Sequence, residues 1–274
     1  MTLDEAALED CVVREQNALT PALKYVGGKS WLLQRLLELY APHRQRRLVE
    51  PFVGSMAVAL GLRPARARLS DVNPHLINFY GRLQDERPFE IKMENDEPLY
   101  YAYRQCFNEL ITTSARYTRT AAELFYYLNR TGFNGLCRFN RSGKFNVPFG
   151  KYETINYRRD FSTYASLLRG WEISCKSFEK VLAEPEDFVY LDPPYDGTFA
   201  DYSMGGFSWT QQVQLAKMFA VHPGPVIASN QATERVIELY KNLGFTIETV
   251  LAPRMISSSG DRTPAMEMFA TKNI

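Results

Sequence analysis

"FVYLDPPY", residues 188–195, is a hydrophobic run that breaks on an acid and two prolines. Phe188, Val189 and Tyr190 suit a buried strand. Pro193 and Pro194 each fix φ and lack an N–H, so a strand ladder stops there. The segment reads as a strand whose tip presents a carboxylate, projecting carbonyls and an aromatic ring. That array suits a planar amino group on a base. Asp192 and the Pro193 carbonyl can each accept one N–H bond, and Tyr195 can stack on the ring. An exocyclic amine is a poor nucleophile because its lone pair is delocalised into the ring. Drawing both hydrogens to acceptors pulls the nitrogen toward tetrahedral geometry and frees the pair. The bland alternative is a proline turn that caps a strand beside an incidental acid.

Other short strands surround this one. "RLVEPFVG" (47–54) runs into a glycine turn and "SMAVALGL" then begins a helix. "ARLSDVNP" (67–74) is a second strand, ending in Asp71, and "PVIASN" (225–230) a third, followed by the helix "ATERVIELYKNLG". "FTIETVL" (245–251) and "MEMFATK" (266–272) read as a closing strand pair. Strands alternate with helices on both sides of a middle block, which predicts an α/β frame with a mainly parallel sheet. Ligands of such sheets bind beyond the carboxyl ends of the strands. Gly54 lets backbone approach a ligand there, and Asp71 follows at the spacing of an acid that bonds ribose hydroxyls. The pair points to a ligand containing a nucleoside.

The middle block differs in kind. "PLYYAYRQCFNELI" and "TAAELFYYLNRTG" are helical, and "LCRFNRSGKFNVPF" (136–149) alternates around Arg141-Ser142-Gly143 as a β-hairpin does. Between 99 and 160, ten basic residues stand against four acidic ones, in a chain whose net charge is +1. This predicts an inserted module with one positive face. In "LNRTGFNGLCRFNRSGKFNVPFG" (128–150), Arg130 and Arg138 lie among asparagines and aromatics, and Arg141 and Lys144 sit at the turn. Arginine can read guanine and asparagine adenine in a major groove, while cations at a turn suit phosphates. The competing reading is an exposed hairpin whose phenylalanines form local core.

"KYVGGKS" (24–30) has the glycines, lysine and hydroxyl of a phosphate loop, but that pattern needs a glycine at position 23, which is Leu23. A turn before a helix, with Ser30 as N-cap to "WLLQRLLELY", is the plainer reading. Lys29 still requires an anionic partner.

The bulk numbers exclude several classes. With 274 residues and 45% hydrophobic side chains the chain can build a substantial core. Lys plus Arg total 32 against 31 Asp plus Glu, so net charge alone names no partner. The four cysteines, Cys11, Cys106, Cys137 and Cys175, lie far apart without metal spacing and read as reduced thiols of a cytoplasmic protein. No metal site is expected. No apolar run approaches the ~18 to 20 residues of a membrane span, and the acidic start "MTLDEAALED" is not a signal segment.

Taken together, "KYVGGKS", "EPFVGS", "LSDVNP", "LNRTGFNGLCRFN…GKFNVPFGKY", "YLDPPY" and "ISSSGDRT" (256–263) resemble the DNA adenine-N6 methyltransferases of the Dam type, over nearly everything from Lys24 to Lys272. The resemblance implies a Rossmann-like S-adenosylmethionine-dependent methyltransferase sheet. It carries an inserted, mainly helical DNA-recognition domain with a β-hairpin. The implied parts are an extension at 1–20, a catalytic domain at 21–75 and 166–274, and a target-recognition domain at 76–165. The implied cofactor is S-adenosyl-L-methionine, and the implied reaction is methyl transfer to the 6-amino group of adenine in double-stranded DNA, usually within GATC, after base flipping. Tyr25, Lys29, Glu50, Phe52, Gly54, Asp71 and Phe178 fall on cofactor positions, with Asp192 bordering them. Asp192, Pro193, Pro194 and Tyr195 fall on catalytic ones. Arg130, Phe133, Asn134, Leu136, Arg138, Arg141, Lys144, Pro148 and Tyr152 are expected against DNA. A monomer of bacterial or phage origin is implied, either solitary or paired with a restriction endonuclease.

The sequence departs from the family pattern at four places. Met56 stands where a second glycine is usual, Tyr25 where tryptophan is common and Phe133 where tyrosine is frequent. Glu153-Thr154 stands where basic residues often follow. These changes predict weaker or more salt-sensitive binding with the same chemistry. An RNA or protein amide methyltransferase and an inactive DNA-binding relative remain open alternatives.

Overall fold

The computed structural model describes residues 19–196, 206–253 and 264–274. The segment "ISSSGDRT", Cys11 and nearly all of the acidic N-terminal stretch lie outside those residues.

Among the described residues, seven strands form one sheet: β1 (Leu48–Glu50), β2 (Ala67–Asp71), β3 (Trp171–Cys175), β4 (Phe188–Leu191), β5 (Val226–Gln231), β6 (Thr246–Ala252) and β7 (Ala265–Lys272). Their spatial order is β3-β2-β1-β4-β5-β7-β6. The first five strands are parallel, and β7 runs antiparallel to both its neighbours. β1 and β4 are buried along their whole length, as strands covered on both faces are. Alternation assigns their side chains to opposite layers. Leu48 and Tyr190 join one core, while Val49, Val189 and Leu191 join the other.

The first core is covered by α1 (Leu33–Tyr40), α2 (Ala57–Leu62), and the helices between β2 and β3. Those are α3 (Pro74–Leu83), α4 (Glu97–Leu110), α5 (Arg119–Thr131) and α6 (Ser162–Leu168). The second core is covered by α7 (Trp209–Ala220) and α8 (Glu234–Asn242). The chain leaves β1 in one direction to build β2 and β3, then returns to lay β4 on the other side of β1. That reversal opens a crevice at the carboxyl ends of β1 and β4. Glu50, Asp71, Asp192 and Asn230 all lie along this edge, within one residue of their strand ends.

Three of the helices between β2 and β3 carry side-chain N-caps. Asn73 accepts the His75 and Leu76 N–H groups, Asp96 the Leu99 N–H, and Thr118 the Ala121 N–H; each such cap contributes ~1 kcal/mol. α5 is buried along most of its length. Phe79, Phe89, Tyr126 and Phe161 pack ring against ring, with Phe79 and Tyr126 stacked at 5.5 Å. This aromatic core is continuous with the core on that face of the sheet.

Two local expectations are corrected. Ser30 does not cap α1. A 3₁₀ turn, Ser30–Leu32, leads into the helix, and Lys29 precedes it without a side-chain cap, since an ammonium has no acceptor to offer a backbone N–H. The stretch 136–149 also turns back on itself without forming regular strands. Its pairing is the single bridge Phe139↔Phe145, with Gly132↔Phe149 at its base. Side chains replace the ladder. Asn140 Oδ1 accepts from Ser142 N and Lys144 N at 3.0 Å each. Asn108 on α4 accepts Phe145 N–H at 2.7 Å and donates to Phe145 O at 3.0 Å.

Candidate active site

The loop at 24–30 folds over the tip of β4. Gly27 has φ +81°, which turns the chain so that Lys29 points inward. Lys29 is buried, at 2% exposure. Its Nζ donates to Gly27 O at 2.7 Å, pairs with Asp192 Oδ2 at 3.0 Å, and lies 4.8 Å from the centre of the Tyr195 ring. The ammonium has three protons and meets three acceptors. The anionic partner required by Lys29 is therefore the acid of "LDPPY" itself.

Asp192 is held on both oxygens. Ser229 Oγ, near the end of β5, donates to Asp192 Oδ1 at 2.8 Å, and the Tyr190 hydroxyl lies 3.0 Å from Ser229 Oγ. Each carboxylate oxygen keeps a further lone pair for an N–H donor. The Tyr195 hydroxyl donates to Glu267 Oε2 on β7 at 2.6 Å. Burial, and then the charge of Asp192, push that hydroxyl well above the ordinary tyrosine range. Tyr195 therefore stays neutral, a ring plate anchored at its outer end.

Glu50 ends β1 at 2% exposure. Burial, and then the neighbouring Asp192 charge, hold its carboxyl well above the usual carboxylate range. Among the described residues its Oε1 meets no hydrogen-bond partner. A buried acceptor without a partner is costly, so this oxygen is poised for a donor from a ligand.

Asp71 ends β2 and accepts Gly54 N–H at 3.2 Å and Asn73 N–H at 2.9 Å. Burial raises its pKa, and those backbone donors oppose the rise. Gly54 has φ +45°, and a Cβ there would sit 3.4 Å from the Tyr25 ring. Tyr80 donates to Gly54 O at 2.7 Å, fixing the turn from below. Met56 occupies a left-handed conformation, φ 64° and ψ 17°. That region costs a side-chain-bearing residue ~1 to 2 kcal/mol, which is the physical reason glycine suits the position. Here full burial of the methionine side chain offsets the strain. Phe52 stacks on the buried Phe178 at 5.8 Å, and Phe207 meets both rings edge-on at 5.6 Å.

The residues expected against DNA separate into groups. Phe133, Pro148, Arg141 and Lys144 are exposed. Phe133 N–H donates to Pro148 O at 2.9 Å, which brings these two side by side. Asn134 follows at φ 52°, and Tyr152 donates to Gly132 O at 3.0 Å, completing one ridge. Arg141 and Lys144 stand apart from it, at the turn of the hairpin. Arg138 spans the hairpin, with Nε to Asn146 Oδ1 at 2.9 Å. Arg130 donates to Asn156 O at 2.5 Å and Ala22 O at 3.4 Å, tying α5 to two loops. Leu136 is buried at 6% exposure, packed beneath the ridge.

Sequence reasoning missed several polar residues that hold these pieces. Asn129, 1% exposed on α5, accepts Lys24 N–H at 2.8 Å and donates to Lys24 O at 2.7 Å and Gly135 O at 3.3 Å. It joins the lysine loop to the ridge. Ser229 and Asn230 were visible only as an abrupt polar tip on the apolar "PVIAS" run. Glu267 showed as an acid between two methionines, and Gln212 on α7 carried no signal.

A sheet of this order, with a proline-paired acid at the tip of its fourth strand, defines a Rossmann-like methyltransferase. Comparison with known proteins then gives the family. The chain belongs to the D12 class N6 adenine-specific DNA methyltransferases, whose family model matches residues 25–256. It is 35% identical over 266 residues to the Retron Ec67 DNA adenine methylase of Escherichia coli, covering 92% of this chain and 91% of the relative. It is 33% identical over 272 residues to the DNA adenine methylase of Haemophilus influenzae, covering 91% and 92%. The DNA adenine methylase of Escherichia coli K12 is 34% identical over 257 residues, covering 87% and 89%. The chain is thus an enzyme of a DNA adenine methyltransferase family. Among the described residues, no helix is long and apolar enough to cross a membrane.

Proposed function

We propose that this enzyme transfers a methyl group from S-adenosyl-L-methionine to the 6-amino group of adenine in duplex DNA, within GATC. The observation that carries the reading is the Asp192 carboxylate, fixed between Lys29 and Ser229 beside the Tyr195 ring. The residues present fit the cofactor. Glu50 offers a buried oxygen without a partner among the described residues, Asp71 an acceptor beside a turn without a Cβ, and Tyr25, Phe52 and Phe178 apolar faces. When bound there, S-adenosyl-L-methionine supplies an electrophilic methyl group on sulfur.

The protein's part is to hold the amine. The target adenine leaves the base stack at a cost of a few kcal/mol, offset in part by stacking on Tyr195. Asp192 Oδ and the Pro193 carbonyl each accept one hydrogen of the 6-amino group. Lys29 and Ser229 hold Asp192 in the position to do so. The nitrogen loses a proton once it carries the methyl, when that proton is acidic, so Asp192 need not be a strong base. Alignment and exclusion of water supply most of the acceleration.

Residues 76–165 act as the target-recognition domain and residues 21–75 with 166–274 as the catalytic one. The Phe133–Pro148–Tyr152 ridge reads bases, with Arg138 as a reader, and Arg141 and Lys144 bind phosphates. The working species is a monomer. Labelled methyl transfer offered side by side to duplex DNA, RNA and protein tests this. Label is expected in N6-methyladenine at GATC, and Asp192→Ala should abolish it with DNA affinity within about tenfold. Label in RNA or protein, or turnover by the alanine variant, defeats the proposal.

A further inference from the structure

Two buried carboxamides lie behind the proline pair. Gln212 on α7 is 1% exposed and Asn230 on β5 is 0% exposed. Gln212 Nε2 donates to Pro194 O at 2.7 Å, and Gln212 Oε1 accepts from Asn230 Nδ2 at 3.0 Å. Asn230 Oδ1 then accepts from Asp196 N at 3.4 Å and Gln231 N at 2.8 Å. The backbone ends force both amide orientations. A carbonyl at Pro194 demands a donor, and N–H groups at Asp196 and Gln231 demand an acceptor.

The contacted backbone groups flank one residue. Pro194 C=O belongs to the peptide before Tyr195, and Asp196 N–H to the peptide after it. Fixing both peptide planes fixes the φ and ψ of Tyr195, and so the direction in which its ring leaves the chain. The Asp196 side chain anchors the same turn, accepting from Arg235 Nε at 2.6 Å and Thr233 Oγ1 at 3.2 Å. The chain also sorts the two proline carbonyls. Pro194 O is occupied from within the protein, which leaves Pro193 O as the carbonyl for a substrate amine.

We propose that Gln212, backed by Asn230, is a positioning residue for methyl transfer that acts through Tyr195. This rests on the amine-clamp reading above. The test is a double-mutant cycle on single-turnover methyl transfer to duplex DNA, with cofactor and DNA affinities measured in parallel. Gln212→Leu should slow transfer by about tenfold or more while both affinities stay within about twofold. In a Tyr195→Ala background the same change should cost less than about twofold. An equal loss in both backgrounds would mean general damage and overturn the proposal, as would no loss at all. A full transfer rate in Tyr195→Ala alone would instead overturn the clamp reading, and this inference with it.

Gln212→Glu, of nearly the same shape, guards against a leucine variant that does not fold. Its ionised form cannot donate to Pro194 O, whereas its neutral form can. Its rate relative to wild type should climb as pH falls from about 8 to about 6, since burial raises a carboxyl pKa. A flat ratio counts against the assigned hydrogen bond.

Discussion

His75 supplies the most quantitative prediction. It sits in the first turn of α3 beneath the hairpin, at 8% exposure. Its ring stacks on Phe139 at 5.0 Å and meets Phe107 edge-on at 5.2 Å. Among the described residues its Nδ1 has no hydrogen-bond partner. Burial, and then the charge of Arg116, lower its pKa from 6.5 to about 4. The folded state thus holds a neutral imidazole where the unfolded chain binds a proton. Below the unfolded value the unfolded state takes up more protons, so stability falls as pH falls and levels off once the folded value is passed. The shift converts to about 3 kcal/mol lost between those limits. Replacing His75 by Leu removes that loss. Urea unfolding of both proteins across the range should show the variant gaining about 3 kcal/mol on wild type from neutral pH to about pH 4. Glu50 and Asp71, whose raised pKa values act in the opposite sense, cancel in the difference. As one of only three histidines, His75 can also be followed directly by NMR. Parallel stability curves, or an imidazole that titrates in the ordinary range, would refute the reasoning.

Three further outcomes are expected. Asn129→Leu strips hydrogen bonds from both backbone groups of Lys24 and should cost about 2 to 4 kcal/mol in urea unfolding; a change below about 1 kcal/mol would show that water or repacking replaces them. Arg138→Ala should relax discrimination at one base by ~1 to 3 kcal/mol, read from transfer rates on duplexes carrying single substitutions; a uniform loss on every duplex would make it a scaffold or phosphate contact. Asp71→Ala should weaken S-adenosyl-L-methionine binding by about tenfold or more in calorimetry and leave DNA affinity unchanged; unaltered cofactor affinity would remove Asp71 from that site.

The frame of this protein was readable from local signals. The short runs that end in Glu50, Asp71 and Leu191 became parallel strands buried over most of their length, because burial on both faces leaves such runs few alternatives. The proline pair marked where β4 must stop, since prolines cannot donate to a ladder. Caps at Asn73, Asp96 and Thr118 are also local, needing only a side chain and the N–H groups two or three residues on, although none of them was singled out from the sequence.

What escaped the sequence depended on partners distant along the chain. The period-two pattern of 136–149 predicts strands, yet the ladder gave way to Asn140 and to Asn108, an amide from another helix. Lys29 announced an anionic partner without naming it. Only the crossing of the 24–30 loop over β4 made that partner Asp192, more than 160 residues away. Gln212 is one of several glutamines on an amphipathic helix, and nothing in its neighbours distinguishes it. Composition and periodicity decide which face of an element is buried, because that choice is made by the element alone. Which buried polar atom meets which is decided by the packing of separate elements, where each unsatisfied donor or acceptor costs too much to leave unpaired.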